Sequence, residues 1–256
     1  MHYAWSRDLF QGFSWTLEPW RKKGMVTVDR VAQVPDHHCL VVSHFAPWWS
    51  PLKEYIAEGR PYIEIDYGYW GPDQPKRTTR RVTYCSHHNV KIKSRPYSRT
   101  HLFADPPIGN WRRTPGEYIL VPMPVEKLLL QRTGETLSQW CNRMQRAIEP
   151  YWSGPIVWRK KIGSQSRFQN FKLQLERAHA VVGERTMSCA EANLLGVPGF
   201  TVDLSISTLL TGDLRYLQNF DFPNRDDWWD HVCWSQFTPE EFASTRPADL
   251  VELYQM

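Results

Sequence analysis

Short apolar runs rich in β-branched residues alternate along the chain with segments of helical periodicity. The runs predict strands at residues 25–31, 40–45, 61–66, 82–85, 117–122, 156–158, 180–182 and 199–202. Helices are predicted at 52–58, 136–148 and 168–177, and residues 1–24 show no clear period. Strands that alternate with short helices predict an α/β fold rather than a β-sandwich.

The densest pattern lies at residues 178–203, where two strands flank a short helix. Ser188 and Glu191 have the spacing of a capping box, and Gly196 and Pro198 end the helix. Strands this close in the chain predict a parallel, right-handed βαβ unit. Its helix would then begin at the carboxyl end of the first strand, where free amides and the helix dipole favour anions.

The segment "AHAVVGERTMSCAEANLLGVPGF" resembles the donor-binding unit of GT-B glycosyltransferases. The resemblance implies that Gly183, Thr186 and Ser188 lie beside the diphosphate of a nucleotide sugar and that Glu191 binds the ribose hydroxyls. The alternative is that Ser188 and Glu191 only cap a helix, as they would in any α/β domain.

The same resemblance implies two Rossmann-like lobes that face a cleft, although 256 residues would also suit one large domain. Residues 1–113 would form the acceptor lobe and 114–220 the donor lobe. Residues 221–256 would return to the first lobe as helices. Thr238 and Glu241 predict the start of one such helix, and a second is expected from about Pro247.

Two further phrases, "IEIDYGYWG" and "FPNRDDWWDHVCWSQFTPEEF", are similar to segments of GT-B-like proteins from tailed bacteriophages. This similarity implies a phage enzyme that places a sugar on a hydroxymethylated pyrimidine of DNA. Such an enzyme must expose its target base, and aromatic side chains could help extrude it. The aromatic residues available for this are Trp48, Trp49, Tyr69 and Trp70.

Charge is distributed unevenly around a net value of +4. Residues 71–113 hold ten Lys or Arg against two Asp, interleaved with aromatics, whereas residues 213–256 hold nine acidic residues against three Arg. Such a basic, aromatic block suits phosphate backbones and stacked bases, although a solvated surface is the alternative. The predicted acceptor-binding residues are Trp70, Arg77, Arg80, Arg81, Lys91 and Lys93.

Acid–base and cationic side chains lie at or just beyond the ends of three of the predicted strands. Asp66 is the first candidate for the base that deprotonates the acceptor hydroxyl, with His44 second; alternatively, Asp66 opens a turn before Gly68. Arg159 and Lys160 would neutralise the donor diphosphate unless they form an exposed surface turn.

The sequence argues against several classes of enzyme and against a zinc site. Neither a Walker loop nor a Gly-x-Gly-x-x-Gly phrase occurs, which argues against ATP-dependent phosphoryl transfer and ordinary nicotinamide chemistry. The spacing at 37–39 and 85–88 does not suit zinc, so no metal site is predicted and metal dependence stays open. Five scattered cysteines, no signal peptide and no membrane span predict a cytoplasmic protein, in the host cytoplasm if phage-encoded.

The sequence therefore predicts a glycosyltransferase that uses a nucleotide sugar, with a UDP-sugar as the first candidate donor and DNA as the first candidate acceptor. Two alternatives stay open. One is a GT-B enzyme that acts on a saccharide or a nucleotide sugar, and the other is a non-catalytic module that binds nucleic acid or nucleotide. Oligomeric state is not predicted.

Overall fold

The computed structural model describes residues 2–6, 20, 22, 24–43, 49–68, 79–84, 97–103, 108–160, 167–203, 210–244 and 249. The chain forms two units. Unit 1 comprises Met1–Phe103 and Asp230–Met256, and unit 2 comprises Ala104–Trp229.

Within the described residues, ten strands and seven α-helices have defined bounds. The strands are β1 (His2–Ser6), β2 (Val26–Val28), β3 (His38–Ser43), β4 (Tyr62–Tyr67), β5 (Arg80–Tyr84), β6 (Tyr118–Pro122), β7 (Ile156–Arg159), β8 (Ala178–Gly183), β9 (Gly199–Thr201) and β10 (Gln236–Phe237). The helices are α1 (Trp49–Ala57), α2 (Glu126–Thr133), α3 (Leu137–Ile148), α4 (Arg167–Leu175), α5 (Ser188–Leu194), α6 (Asp226–Trp234) and α7 (Pro239–Ser244).

Unit 1 contains a six-stranded sheet in the order β10-β5-β4-β3-β1-β2. Strands β1 to β4 are parallel, β5 is antiparallel to β4, and β10 is antiparallel to β5. Alternate residues of the strands pack into two cores, as a sheet covered on both faces requires. One core includes Leu40 with Leu52 of α1, and the other includes Val41 with Phe242 of α7.

The segment Gln236–Glu241 is fixed within unit 1 by a buried arginine. Arg99 Nη2 donates hydrogen bonds to the carbonyl oxygen of Gln236 at 3.0 Å and to Glu241 Oε2 at 2.8 Å. Glu241 Oε2 also accepts from the Thr238 amide, and Thr238 Oγ1 accepts from the Glu241 amide. This reciprocal pair confirms the helix start predicted at Thr238.

Unit 2 is built on a fully parallel four-stranded sheet in the order β7-β6-β8-β9. Numbered by their order in unit 2, these strands run 2-1-3-4, the same order as β2-β1-β3-β4 in unit 1. Helix α3 covers one face with Trp140, Met144 and Ile148, whereas α4 and α5 cover the other with residues such as Phe171 and Ala192.

Local sequence signals account for most of these elements. Thr136 caps α3 in a reciprocal box with Gln139, and Gly59, with φ of +70°, follows the end of α1. The α/β class and the parallel β8-α5-β9 unit are confirmed. The facing of two lobes across a cleft stays a prediction.

Other expectations differ from the structure or fall beyond it. Residues 1–24 show no clear period and predict an irregular or partly helical start, but residues 2–6 form β1, which pairs with β2 and β3. Helix α2 is not predicted either. Of the helix expected from Pro247, the structure describes only Asp249, which is helical. In the described part of the chain, no helix has the length and apolar character needed to cross a membrane.

Helix α5 approaches β9 so closely that the first residue of β9, Gly199, must be a glycine. A Cβ atom on Gly199 would lie 2.1 Å from the carbonyl oxygen of Cys189, so Gly199→Ala should lower the free energy of unfolding by about 1–3 kcal/mol. Gly109→Ala is the control, because its nearest neighbour is 3.5 Å away. Urea unfolding measures the stability of both variants. An equal loss of stability in Gly199→Ala and Gly109→Ala would contradict a steric requirement for glycine at position 199.

Candidate functional site

The carboxyl edge of the unit 2 sheet contains a point at which the strand order reverses. The chain passes from β6 to β7 on one side, and β8 lies on the other side of β6. Ligands of open parallel sheets bind at such a switch point, beyond the carboxyl ends of the strands. The candidate site therefore lies where β6 ends at Pro122 and β8 ends at Gly183. We call residues 184–187, which follow β8, the edge loop.

The edge loop is tightly folded. A Cβ atom on Gly183 would lie 2.4 Å from Thr186 Cγ2 and 3.1 Å from Cys189 Sγ, so the strand end tolerates only glycine without rearrangement. Arg185 has a left-handed φ of +45°, and its amide donates to an Asp203 carboxylate oxygen at 3.1 Å. Thr186 Oγ1 accepts from the Ser188 amide at 3.2 Å.

The predicted capping box at the start of α5 is wrong. Met187 is the N-cap residue, with helical backbone angles and no side-chain capping bond, so Ser188 is already the first residue of the helix. The Ser188 amide is taken by Thr186 instead. Ser188 and Glu191 are 7% and 5% exposed. Because neither caps the helix in the predicted way, the capping explanation fails, and their ligand role stays a prediction.

A charged cluster that the sequence did not reveal borders the edge loop. Glu184 Oε2 accepts hydrogen bonds from Trp140 Nε1 at 2.6 Å and from Arg143 Nη2 at 2.9 Å. Arg143 also donates from Nε and Nη2 to Glu135, at 2.9 Å each. The hydrogen bonds that Arg143 donates, first to Glu135 and then to Glu184, raise the pKa of Arg143 above its usual value.

The alternation of β8 is the signal that could have found this cluster. Ala180 and Val182 face the core beneath α3. Glu184, two residues on, continues the same direction and meets Trp140 in α3. The partner residues are about forty positions away, so the sequence alone gives no pairing.

The carboxyl end of α5 is held by Arg225. Its Nη1 donates to the carbonyl oxygens of Asn193 and Leu194, and its Nη2 donates to that of Gly109. The guanidinium lies 4.2 Å from the centre of the Trp111 ring, and burial lowers its pKa. A cation at this end also complements the helix dipole. Arg225 thus fixes the position of the helix that carries Ser188 and Glu191.

The two cations predicted to neutralise a diphosphate occupy different environments. Arg159 is buried, where its Nε donates to Gln174 Oε1 at 2.7 Å and its guanidinium lies 5.1 Å from the centre of the Phe171 ring. These contacts are with α4. Lys160 is exposed. The structure therefore does not bring Arg159 and Lys160 into one cationic pair, and their donor role stays a prediction.

In unit 1, the predicted base Asp66 forms a buried ion pair. Cross-strand register places Asp66 of β4 opposite Arg81 of β5, and Arg81 Nη2 donates to Asp66 Oδ2 at 2.6 Å. Arg81 is 0% exposed and Asp66 is 7% exposed. Asp66 lies within β4, which continues to Tyr67, so the alternative that Asp66 opens a turn is wrong.

The predicted acceptor-binding set is only partly described. Arg80 and Arg81 are buried, and Arg80 Nη1 donates to the carbonyl oxygen of Thr79 at 3.0 Å, so neither is an exposed phosphate contact in this conformation. The other members, Trp70, Arg77, Lys91 and Lys93, lie outside the described residues. So do the second candidate base His44 and the aromatics Trp48, Tyr69 and Trp70, while nothing is described of the Trp49 side chain.

Metal-ligating side chains form no group of three or more within the described ranges. His37 and His38 have ring centroids 4.4 Å apart, and His38 is buried. Cys85, His87 and His88, the other half of the disfavoured zinc hypothesis, lie outside the described residues.

The fold is similar to that of a glycosyltransferase. A solved structure titled Thermosulfurimonas dismutans KpsC, beta Kdo 2,7 transferase, matches with a TM-score of 0.54 and 11% sequence identity, over 100% of each chain. At this identity the likeness establishes the fold alone. No protein-family model and no curated protein sequence matches the chain.

The Asp66–Arg81 pair generates a test of its structural role. Asp66→Leu leaves a buried guanidinium without its carboxylate partner and should destabilise the protein by about 3–5 kcal/mol. The double variant Asp66→Leu with Arg81→Met replaces both charges by apolar groups and should lose less. Urea unfolding measures both variants. If the double variant is no more stable than Asp66→Leu alone, the unpaired guanidinium is not the cause of the lost stability.

Proposed function

We propose that the protein is a glycosyltransferase that takes its sugar from a nucleotide sugar. The observation that carries this proposal is the whole-length likeness to a Kdo transferase. Its support within the chain is the parallel sheet of unit 2, in which the β8-α5-β9 unit has the arrangement expected of a nucleotide-binding half-site.

The donor would bind at the carboxyl edge of the unit 2 sheet. Gly183, Thr186 and Ser188 would lie beside the phosphates, because a tight strand-to-helix turn presents backbone amides to an anion. Glu191 would bind the ribose hydroxyls, and Arg159 and Lys160 would add positive charge. A UDP-sugar is the first candidate, and the cytoplasm, predicted from the sequence, is the expected place of action.

Two acceptors are proposed on different grounds. A saccharide hydroxyl is favoured by the likeness to an enzyme whose title names a Kdo transferase. The proposal of hydroxymethylated DNA as the acceptor rests on the basic residues of 71–113 and on the phage-like phrases of the sequence. The burial of Arg80 and Arg81 removes two of the six residues predicted to contact DNA.

The base that activates the acceptor would be His44 or Asp66. A guanidinium partner stabilises the ionised carboxylate, which weakens Asp66 as a base, so His44 becomes the first candidate.

Donor binding tests the proposal directly. Titration calorimetry should detect binding of at least one member of a panel of UDP-, GDP-, ADP- and CMP-sugars. Glu191→Gln should weaken that binding about tenfold or more, because a hydrogen bond to a charged group contributes about 1.5–3 kcal/mol.

Glu176→Gln is the matched control, since Glu176 is exposed and lies between α4 and the amino end of β8. It should bind the donor as the unchanged protein does. Failure of every nucleotide sugar at millimolar concentration would contradict a donor site, whereas binding of another nucleotide but not of UDP-sugars would correct only the nucleotide.

Transfer to a labelled acceptor separates the remaining alternatives. With the donor identified above, the protein is incubated with hydroxymethylcytosine-containing DNA and, separately, with Kdo-containing oligosaccharides. Sugar incorporated into one of them identifies the acceptor class. Donor binding without transfer to either, and without donor hydrolysis, would support the non-catalytic alternative. Steep loss of DNA binding with salt would be expected only for the DNA acceptor.

A further inference from the structure

Strand β7 forms one edge of the unit 2 sheet, and its outer side is open. The carbonyl oxygens of Pro155 and Arg159 accept hydrogen bonds from amides near the two ends of β6, so alternate residues of β7 face β6. Ile156 and Trp158 therefore direct their N–H and C=O groups away from the sheet. Within the described part of the chain, these four groups have no hydrogen-bond partner.

The opposite edge of the same sheet is protected by side chains. In β9, the outward amide of Gly199 donates to Asn193 Oδ1 at 2.7 Å, and its carbonyl oxygen accepts from Thr211 Oγ1 at 2.7 Å. The first three residues of β7 are instead apolar and half-buried. An edge with free backbone groups and no exposed charge is a template for pairing with another chain.

We infer that β7 pairs with β7 of a second copy of this chain, antiparallel and about a two-fold axis through Val157. In this register Ile156 lies opposite Trp158 of the second copy, and the two residues exchange N–H···O=C hydrogen bonds in both directions. Two-fold symmetry repeats the exchange, so four hydrogen bonds use all the outward backbone groups of these residues. The edge therefore satisfies a copy of itself, which is the property of an isologous interface.

The side chains fit the same register. Ile156 and Trp158 pack towards α3, whereas Val157 packs on the opposite face of the sheet. Residues directly opposite each other in an antiparallel pair project to the same face. Trp158 of one copy therefore packs beside Ile156 of the other, and such aromatic and β-branched pairs stabilise sheets. A register shifted by one residue would set outward groups against groups that already bond to β6, and the four hydrogen bonds would be lost.

Charge favours a second copy in this orientation. Lys160, exposed just beyond β7, lies opposite Gly154 of the second copy, in the turn 149–155, whose one charged residue is Glu149. A parallel copy would instead bring the two Lys160 side chains together, and like charges side by side destabilise a strand pair. The antiparallel copy also places the two candidate donor edges at opposite ends of a continuous eight-stranded sheet.

Disulfide formation tests the axis. In the proposed dimer the two Cα atoms of residue 157 form a non-hydrogen-bonded pair about 4.5 Å apart, which lies within the range of a disulfide. Val157→Cys should therefore form a disulfide-linked dimer in oxidised glutathione faster than the unchanged protein does, as measured by non-reducing electrophoresis. Ser138→Cys, exposed on α3, is the matched control and should cross-link no faster than the unchanged protein.

A backbone variant tests the hydrogen bonds. Ile156→Pro removes an amide that has no partner within the described part of the chain, and so removes two of the four hydrogen bonds across the axis. Dimerisation, measured by sedimentation equilibrium at micromolar to millimolar concentration, should weaken at least about tenfold. Ile156→Val keeps the amide and the β-branched shape, and should dimerise as the unchanged protein does. Thermal melting shows whether each variant is folded.

Three results would overturn the inference. The first is an unchanged protein that is monomeric at every concentration, which would leave the edge of β7 to a different partner. The others are a dimer that survives in folded Ile156→Pro and a Val157→Cys that cross-links no faster than Ser138→Cys, because the dimer would then use another surface. If Ile156→Pro does not fold, the cross-linking comparison decides. None of these measurements depends on nucleotide-sugar binding, so their failure leaves the proposed function untouched.

Discussion

Parallel pairing is the constraint on which both units depend. A parallel strand can join its neighbour only through a crossover, and because the strands share one direction their carboxyl ends all lie at the same edge of the sheet. In unit 2 this gathers the ends of β6 and β8, which are 61 residues apart in the chain, at one switch point. Ligand-binding side chains can then lie in the short loops at this edge, while helices cover both faces of the sheet with apolar side chains.

Arginines serve structural roles where the chain buries polar groups. Arg225 satisfies carbonyls at the end of α5, Arg99 fixes the segment that carries β10, and Arg81 neutralises Asp66. Arg143 differs, because it is half-exposed and shares its guanidinium between two carboxylates. The distinction matters, because a basic block in a sequence includes guanidinia of both kinds, and only the exposed ones can reach a polyanion.

The elements with strong local patterns could be predicted, whereas tertiary partners could not. The β8-α5-β9 unit follows from β-branched runs and a Gly-x-Pro stop, and α3 follows from its cap and apolar stripe. The capping box at Ser188 failed because Thr186 competes for the same amide. The pairing of Asp66 with Arg81 depends on cross-strand register, and that of Glu184 with Arg143 depends on how α3 covers the sheet. Neither leaves a local pattern.

Unit 1 is discontinuous, and this has a consequence for the order of folding during synthesis. Its edge strand β10 pairs with β5 but leaves the ribosome only after all of unit 2 has been made. Unit 2 is continuous and can complete its sheet as it emerges, so the later unit has the earlier opportunity to fold. Until β10 arrives, the nascent chain carries an unpaired edge at β5, which is the kind of edge that chaperones shield from aggregation.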